Sequence, residues 1–313
     1  MSISVQGKTA IVTGAGSGIN LCFARLLVEN GCNVLIADLA LRPEAQVFVD
    51  EHKTDSPRVV FQETNVVDWA QLERMFEVAE KEFGEIDIVC PGAGVYEPLW
   101  SNFWRPPGAG DSKDSPTGGR YAIIDINLTH PIRTTQLAIA HFLNNCTSGR
   151  PKHILHISSI AAQNANLANP VYCATKHAIS GFVRSLANLD KKFGIRVTAV
   201  APGVIKTPLW TEHPEKMKLI DGSDEWVTPE EVAEVMLALL QQDEVSETIG
   251  DRSGNGQQFK VEGGTILEVS KTVRAVAQFN DPGPGNRPGN TASDHHEVEE
   301  ETYKILEQKG WGL

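Results

Sequence analysis

Residues 9–19 read Thr9-Ala10-Ile11-Val12-Thr13-Gly14-Ala15-Gly16-Ser17-Gly18-Ile19. The first five, rich in β-branched and apolar side chains, predict a strand. The glycines after them predict a tight turn, and residues 19–30 place apolar side chains at spacings of three and four, as an amphipathic helix does. Strand, glycine turn and helix in that order leave unpaired N–H groups and the positive end of a helix dipole facing the turn. Such a turn suits the phosphates of a dinucleotide, with Gly14 and Gly18 letting the main chain approach and Ser17 and Ile19 opening the helix.

Outward from this stretch the alternation continues. Residues 33–38, 59–62, 86–89, 153–158, 196–201 and 257–261 read as further short strands, and residues 69–83, 123–143, 171–193 and 229–240 as helices. Gly31, Gly84 and Gly194 stand just past three helical stretches, where a left-handed residue ends a helix. The rhythm predicts an α/β, doubly wound, Rossmann-like fold with about seven parallel strands and crossover helices, in one domain over residues 1–280. Residues 99–119 break the rhythm with Pro106-Pro107-Gly108-Ala109-Gly110, predicting a long surface loop. Residues 281–313 read as an acidic C-terminal extension, solvated in preference to closing on the domain as a helix from Glu297.

The bulk properties exclude some classes of function. A net charge of -12 argues against nucleic acid and anionic lipid, and 41% hydrophobic content supports a sizeable core. No apolar run approaches the length of a membrane span, and residues 1–7 lack the features of a secretion signal, so a cytoplasmic location is expected. Cys22, Cys32, Cys90, Cys146 and Cys173 are scattered without metal-ligand spacing and read as buried thiols; no metal site is expected. His130, His141, His156 and His177 read as structural or exposed, and Asn127-Leu128-Thr129 and Asn145-Cys146-Thr147 are glycosylation patterns a cytoplasmic chain does not use.

Asp38 closes the second strand twenty residues after Gly18, with Leu39 next to it. A carboxylate there takes ribose hydroxyls and repels a ribose phosphate, which favours NAD over NADP; Arg42 is the one cation nearby. Further along, Ser158-Ser159 ends a strand and Tyr172 precedes Lys176 by one helical turn, so the two side chains share a face. A phenol is normally protonated, with a pKa of about 10, and acts as a base only where a neighbouring cation stabilises its phenolate. Lys176 is placed to do that, and Ser159 or Ser158 to hold a substrate oxygen.

Thr13-Gly14-x-x-x-Gly18, Ser159 and Tyr172-x-x-x-Lys176 resemble the classical short-chain dehydrogenase/reductase family over roughly residues 5–265. Asn65-Val66 is similar to the family's adenine contact, Gly92-Ala93-Gly94 to its Asn-Asn-Ala-Gly turn, and Pro202-Gly203-Val204-Ile205-Lys206-Thr207 to its Pro-Gly-x-x-x-Thr contact with the nicotinamide amide. The resemblance implies Ser159 rather than Ser158 as the catalytic serine, a bond from Lys176 to the nicotinamide ribose, and Asn127 as the asparagine that interrupts a helix and holds a water leading to the lysine. Asn20 departs from the family's last glycine and Pro91-Gly92 from its paired asparagines, which puts cofactor geometry in question.

Oxidation of a secondary alcohol, or the reverse reduction of a ketone, is the activity expected, with a small-molecule substrate. Trp100, Phe103, Trp104, Trp210 and Trp226 either line an apolar substrate pocket or anchor loops to the core. Glu230-Glu231-Val232 and the long tail look somewhat like the 15-hydroxyprostaglandin dehydrogenase branch and its fungal relatives. Apolar residues on more than one face of the helices at 123–143 and 171–193 predict a homodimer or homotetramer. The rival readings are an idle NAD-binding sensor or scaffold, and an extended epimerase, whose glycine turn is spaced differently.

Overall fold

The computed structural model describes residues 2–54, 56–145, 150–212, 225–248, 256–278 and 295–312. Strand β1 (Thr9–Thr13) is buried along its whole length and leads through the glycine turn into α1 (Gly18–Glu29). Then come β2 (Asn33–Asp38), α2 (Pro43–Glu51), β3 (Val59–Glu63), α3 (Trp69–Phe83), β4 (Ile88–Cys90), α4 (Ala122–Ile124) and α5 (His130–Asn145). The second half holds β5 (Lys152–Ile157), α6 (Pro170–Ser185), α7 (Leu189–Phe193), β6 (Ile195–Pro202), α8 (Pro208–Thr211) and α9 (Pro229–Gln241). It closes with β7 (Glu244–Ser246), β8 (Gln258–Lys260), β9 (Ile266–Val269), β10 (Val273–Ala275) and α10 (His296–Leu306).

Eight strands form one sheet in the order β10-β9-β6-β5-β4-β1-β2-β3, parallel except for the antiparallel edge pair β9 and β10. Side chains alternate across it. Ala10, Val12, Val34 and Ile36 meet Phe23 and Leu27 of α1 and Met236 and Leu239 of α9 on one face. Ile11, Leu35 and Val89 meet Leu72 and Phe76 of α3, Leu137 of α5 and Ile179 of α6 on the other. Burial on both faces is why the central strands read as continuous apolar runs. Strand order reverses between β1 and β4, and the crevice at the carboxyl ends of those strands is where this architecture seats ligands.

The glycines at 31, 84 and 194 have φ of 83°, 83° and 69°, as helix ends require. Between Cys90 and Ala122 there is no helix or strand, in line with a long loop at 99–119. Four expectations are corrected. Residues 258–260 pair with β7 in a separate antiparallel ribbon, and Ile266–Val269 takes the place in the main sheet. Gln258-Phe259-Lys260 offers only one half-buried side chain between two exposed polar ones, whereas Ile266 and Leu267 are both buried. The helix expected over 123–143 is interrupted by a wide turn at Asp125–Thr129, where the His130 N–H donates to the carbonyl five residues back, on Asp125. The one expected over 171–193 is broken between Ser185 and Leu189. Lastly, residues 296–306 form a helix that docks. Leu306 is buried, the Tyr303 ring lies 5.8 Å from that of Phe193, and the Gly310 N–H donates to Asn144 at 2.7 Å. The remainder of the extension, residues 281–294, lies outside the described residues, as does Cys146.

Candidate active site

A groove of about 750 Å³ opens at the reversal point between β1 and β4. Gly14, Ser17, Gly18 and Ile19 form its floor at one end, with Asp38 and Leu39 from the tip of β2 and Asn65 and Val66 from the loop after β3. Gly92, Ala93 and Gly94 follow β4 into it, and Pro202, Gly203, Ile205 and Thr207 follow β6. Gly14 has φ of 73°, and a Cβ on it would lie 2.6 Å from the Ala93 Cα, so the first turn and the one after β4 touch through bare backbone. At the start of α1, Ser17 makes no side-chain cap bond and the first turn carries no acid, leaving the N–H groups there to the groove. The Asp38 carboxylate is held by the Gly16 N–H at 2.8 Å and the Leu39 N–H at 2.7 Å, which still leaves acceptor capacity on both oxygens.

At the other end of the groove stand Ser159, Tyr172 and Lys176. Ser159 follows β5, its Oγ accepting from the Ala161 N–H at 3.1 Å and standing near enough to the Tyr172 hydroxyl to draw the phenol's pKa down. Ser158 is turned away, its Oγ bonded to Ser180 Oγ at 2.7 Å and donating to the Lys176 carbonyl at 3.3 Å. Tyr172 and Lys176 lie one turn apart on α6, with Lys176 Nζ 5.6 Å from the phenol ring centre. That ammonium donates to the Ile157 carbonyl at 2.8 Å. Burial pushes the Tyr172 phenol up to about 12 against the opposing influence of Ser159, and burial also pulls Lys176 down to about 8. In the protein alone, desolvation therefore outweighs the acidification of the phenol that the Tyr-Lys spacing suggests.

Asn127 sits at the wide turn that interrupts the helix and does not line the groove. Its side chain clasps Val95 from behind, accepting from the Val95 N–H at 2.8 Å and donating to the Val95 carbonyl at 2.7 Å. The extra residue in that turn points the amide at the loop after β4.

Comparison with known proteins gives the same picture. The sequence profile of short chain dehydrogenases matches residues 8–218. The chain belongs to the short-chain dehydrogenase family. The rat 15-hydroxyprostaglandin dehydrogenase [NAD(+)] is 33% identical over 211 residues, 66% of this chain and 71% of that one. An uncharacterized oxidoreductase of Staphylococcus aureus strain MW2 is 30% identical over 236 residues, 75% of this chain and 91% of its own. Among solved structures, 3-ketoacyl-(acyl-carrier-protein) reductase from Brucella melitensis, complexed with NADH, superposes with a TM-score of 0.62 at 25% identity, covering 76% of this chain and 92% of that one.

The two departures from the short-chain dehydrogenase pattern prove to be a single arrangement. Asn20 Nδ2 donates to the Gly92 carbonyl at 3.0 Å, and any Cβ at 92 would overlap the Asn20 amide. The asparagine fills the space a side chain at 92 would use, so it ties α1 to the turn after β4 rather than loosening it.

Several contacts at the groove carried no sequence signal. Tyr96 packs edge-on to Tyr172, with ring centres 4.6 Å apart, and lies 5.3 Å from Trp210. Arg42 and Glu212 form a two-point ion pair at 2.5 and 2.6 Å, joining the loops after β2 and β6 at the groove wall. Glu97, buried beneath the wall, accepts from the Tyr172 N–H at 2.8 Å. Of the aromatics expected at the pocket, Trp210 lines it and Trp226 backs Trp210, with ring centres 6.2 Å apart. Trp104 instead anchors a loop, donating to the Leu167 carbonyl at 2.7 Å, and Trp100 and Phe103 do not reach the groove. His130 and His156 are fully structural in setting, bonded to Thr13 and Thr135 and pushed down to about 4 and about 3 by burial. No described helix is long and apolar enough to cross a membrane.

Proposed function

We propose that this protein interconverts an apolar secondary alcohol and its ketone with NAD as the partner, using Tyr172 as the proton-transferring group. The observation that carries the reading is that Ser159, Tyr172 and Lys176 line one wall of the same groove whose far end holds Asp38 and the open start of α1. The residues fit a dinucleotide: among the described residues no side chain bonds the α1 N–H groups, Gly18 has φ of 60°, and Asp38 is braced by main chain with lone pairs to spare. When bound, NAD supplies the hydride acceptor and a positive charge beside the phenol. As a phenolate Tyr172 takes the alcohol's proton on its oxygen and becomes the phenol, and as the phenol it gives that proton back in the reverse direction. Ser159 holds the substrate oxygen in line with that hydroxyl, and the Lys176 ammonium stabilises the phenolate when it forms. Burial raises the phenol above its ordinary value, so a further positive charge in the groove would favour the phenolate.

The preference for NAD rests on two carboxylates. Asp38 repels a ribose phosphate directly, and Glu212 neutralises Arg42, the cation that such a phosphate would seek. The rat relative carries NAD(+) in its name. Tyr96, Leu209 and Trp210 give the substrate end an aromatic and aliphatic wall, which supports an apolar alcohol. Self-association through α5 and α6 is part of the same reading and is measured by sedimentation. The decisive assay follows reduced-cofactor absorbance over a panel of apolar secondary alcohols with NAD and NADP. Turnover in the parent that Tyr172→Phe loses supports the reading; equal rates in both proteins end it.

A further inference from the structure

Three consecutive residues after β4 each grip part of the candidate catalytic apparatus. Val95 is clasped by Asn127, Tyr96 packs on the Tyr172 ring, and Glu97 bonds the Tyr172 main chain. Glu97 stands out among them. It is only 5% exposed, and its φ of 33° makes it the one non-glycine residue with positive φ among the described residues. Such a backbone persists only where the surroundings over-determine it. Its carboxylate accepts from two main-chain donors, the Phe103 N–H at 3.1 Å through one oxygen and the Tyr172 N–H at 2.8 Å through the other. Among the described residues, no lysine or arginine forms an ion pair with it.

The Tyr172 N–H belongs to the first turn of α6, where helix donors need a partner from outside the helix. The local residue that ordinarily supplies one does not. Asn169 occupies the cap position without a side-chain bond, and Pro170 fills the first helical position. The insertion, for its part, has its own fastening. Ser101 Oγ donates to Asp114 at 2.8 Å, while the Ala122 and Ile123 N–H groups donate to Asp114 and Ser101. One Glu97 oxygen could be spared by the insertion; the other has no substitute on α6.

From this we infer that Glu97 is a positioning residue: it caps α6 from the loop after β4 and so fixes where Tyr172 and Lys176 stand against Ser159. The catalytic part of the inference rests on the function proposed above. The chemistry of the substitution Glu97→Gln is direct, because an amide has one acceptor oxygen where the carboxylate has two, and its NH₂ must then face one of the two N–H donors.

The test uses the full chain with Glu97→Gln, and Glu97→Gly as a second variant that removes the carboxylate while relieving the positive φ. Amide hydrogen exchange reads the first turn of α6, and steady-state kinetics with NAD and the best alcohol of the panel reads the consequence. In Glu97→Gly, exchange at the Tyr172 amide is expected to rise about tenfold or more while α5 keeps its protection, whereas Glu97→Gln, which can keep its one oxygen on that N–H, shows a smaller rise. kcat is expected to fall about ten- to a hundredfold, as displaced reacting groups do, with KM for NAD within about twofold of the parent. A merely stabilising residue would alter the folded fraction and leave kcat per folded site unchanged. Parental exchange at Tyr172 in folded Glu97→Gly overturns the cap, and raised exchange with kcat within twofold overturns the positioning role. If the parent itself turns nothing over, the proposed function fails, yet the exchange experiment still decides whether Glu97 holds the helix.

Discussion

Two helices, α1 and α6, begin near the same groove, and in both the cap residue makes no side-chain bond: Ser17 in one, Asn169 in the other. Their donors meet opposite fates. The start of α1 has no acid in its first turn and faces the groove beside Asp38. The start of α6 is met by the Glu97 carboxylate, 75 positions from Tyr172 in the chain. One end is left for an anion from outside, and the other is satisfied by the protein's own anion. An absent local cap is thus ambiguous in the sequence, and only the packing of a distant loop tells which case applies.

The contrast can be broken or sharpened in four ways, from the largest effect down. Tyr172→Phe removes the proposed proton-transferring group, so turnover should fall by about 10³-fold, within the range general acid–base catalysis contributes. Binding of NADH, followed by fluorescence, should change little; loss of binding instead would mean that the phenol holds the cofactor rather than reacts. Ser17→Asp makes α1 resemble α6 by supplying its own anion. It should raise the thermal midpoint through about 1 kcal/mol of capping while weakening NAD roughly tenfold or more, because a carboxylate then competes for the phosphates' place. Tighter NAD binding in that variant would show that the α1 donors are not the anion site.

Lys176 provides a pH-dependent measure. Its folded pKa of about 8 lies below the usual 10.5, so between those values the unfolded chain holds more protons and stability rises with pH. Below pH 8 the full cost of the buried ammonium is present. Lys176→Met should therefore unfold later in urea at pH 7 by about 2 kcal/mol, with the advantage shrinking from pH 8 to 9.5. Tyr172, raised toward 12, acts in the opposite sense only above pH 10. A constant difference across that window would assign the variant's effect to packing. The smallest effect concerns Glu212→Gln, which frees the exposed Arg42 guanidinium. Discrimination against NADP should relax by about three- to tenfold, as the removal of one exposed charge pair permits; unchanged ratios of kcat/KM would leave Asp38 as the sole determinant.

The legible parts of this molecule were those set by short-range periodicity. Strands buried on both faces appear as continuous β-branched runs, so β1 to β6 fell close to their predicted bounds. Tyr172 and Lys176 share a face because helical residues four apart must, and every residue expected at the cofactor lines the groove. Asn127 stands at the helix interruption the resemblance implies but, alone among the expected site residues, does not line the groove, because its side chain clasps Val95. Gln258-Phe259-Lys260 misled because β-propensity does not say which sheet a strand joins, and burial does. α2 escaped notice because Ala45, Phe48 and Val49 are its only buried side chains. Tyr96, Glu97 and the Arg42–Glu212 pair were silent because each depends on contacts between distant segments.

The interlock of Asn20 with Gly92 has a consequence for how this chain can change. An asparagine arriving first at position 92 collides with the amide already there, whereas a glycine arriving first at position 20 only removes a donor and opens a small void. A mutational walk back to the family's usual pair is therefore easier with position 20 before position 92, because the reverse order first makes the Asn20 amide swing aside and give up its bond to the Gly92 carbonyl.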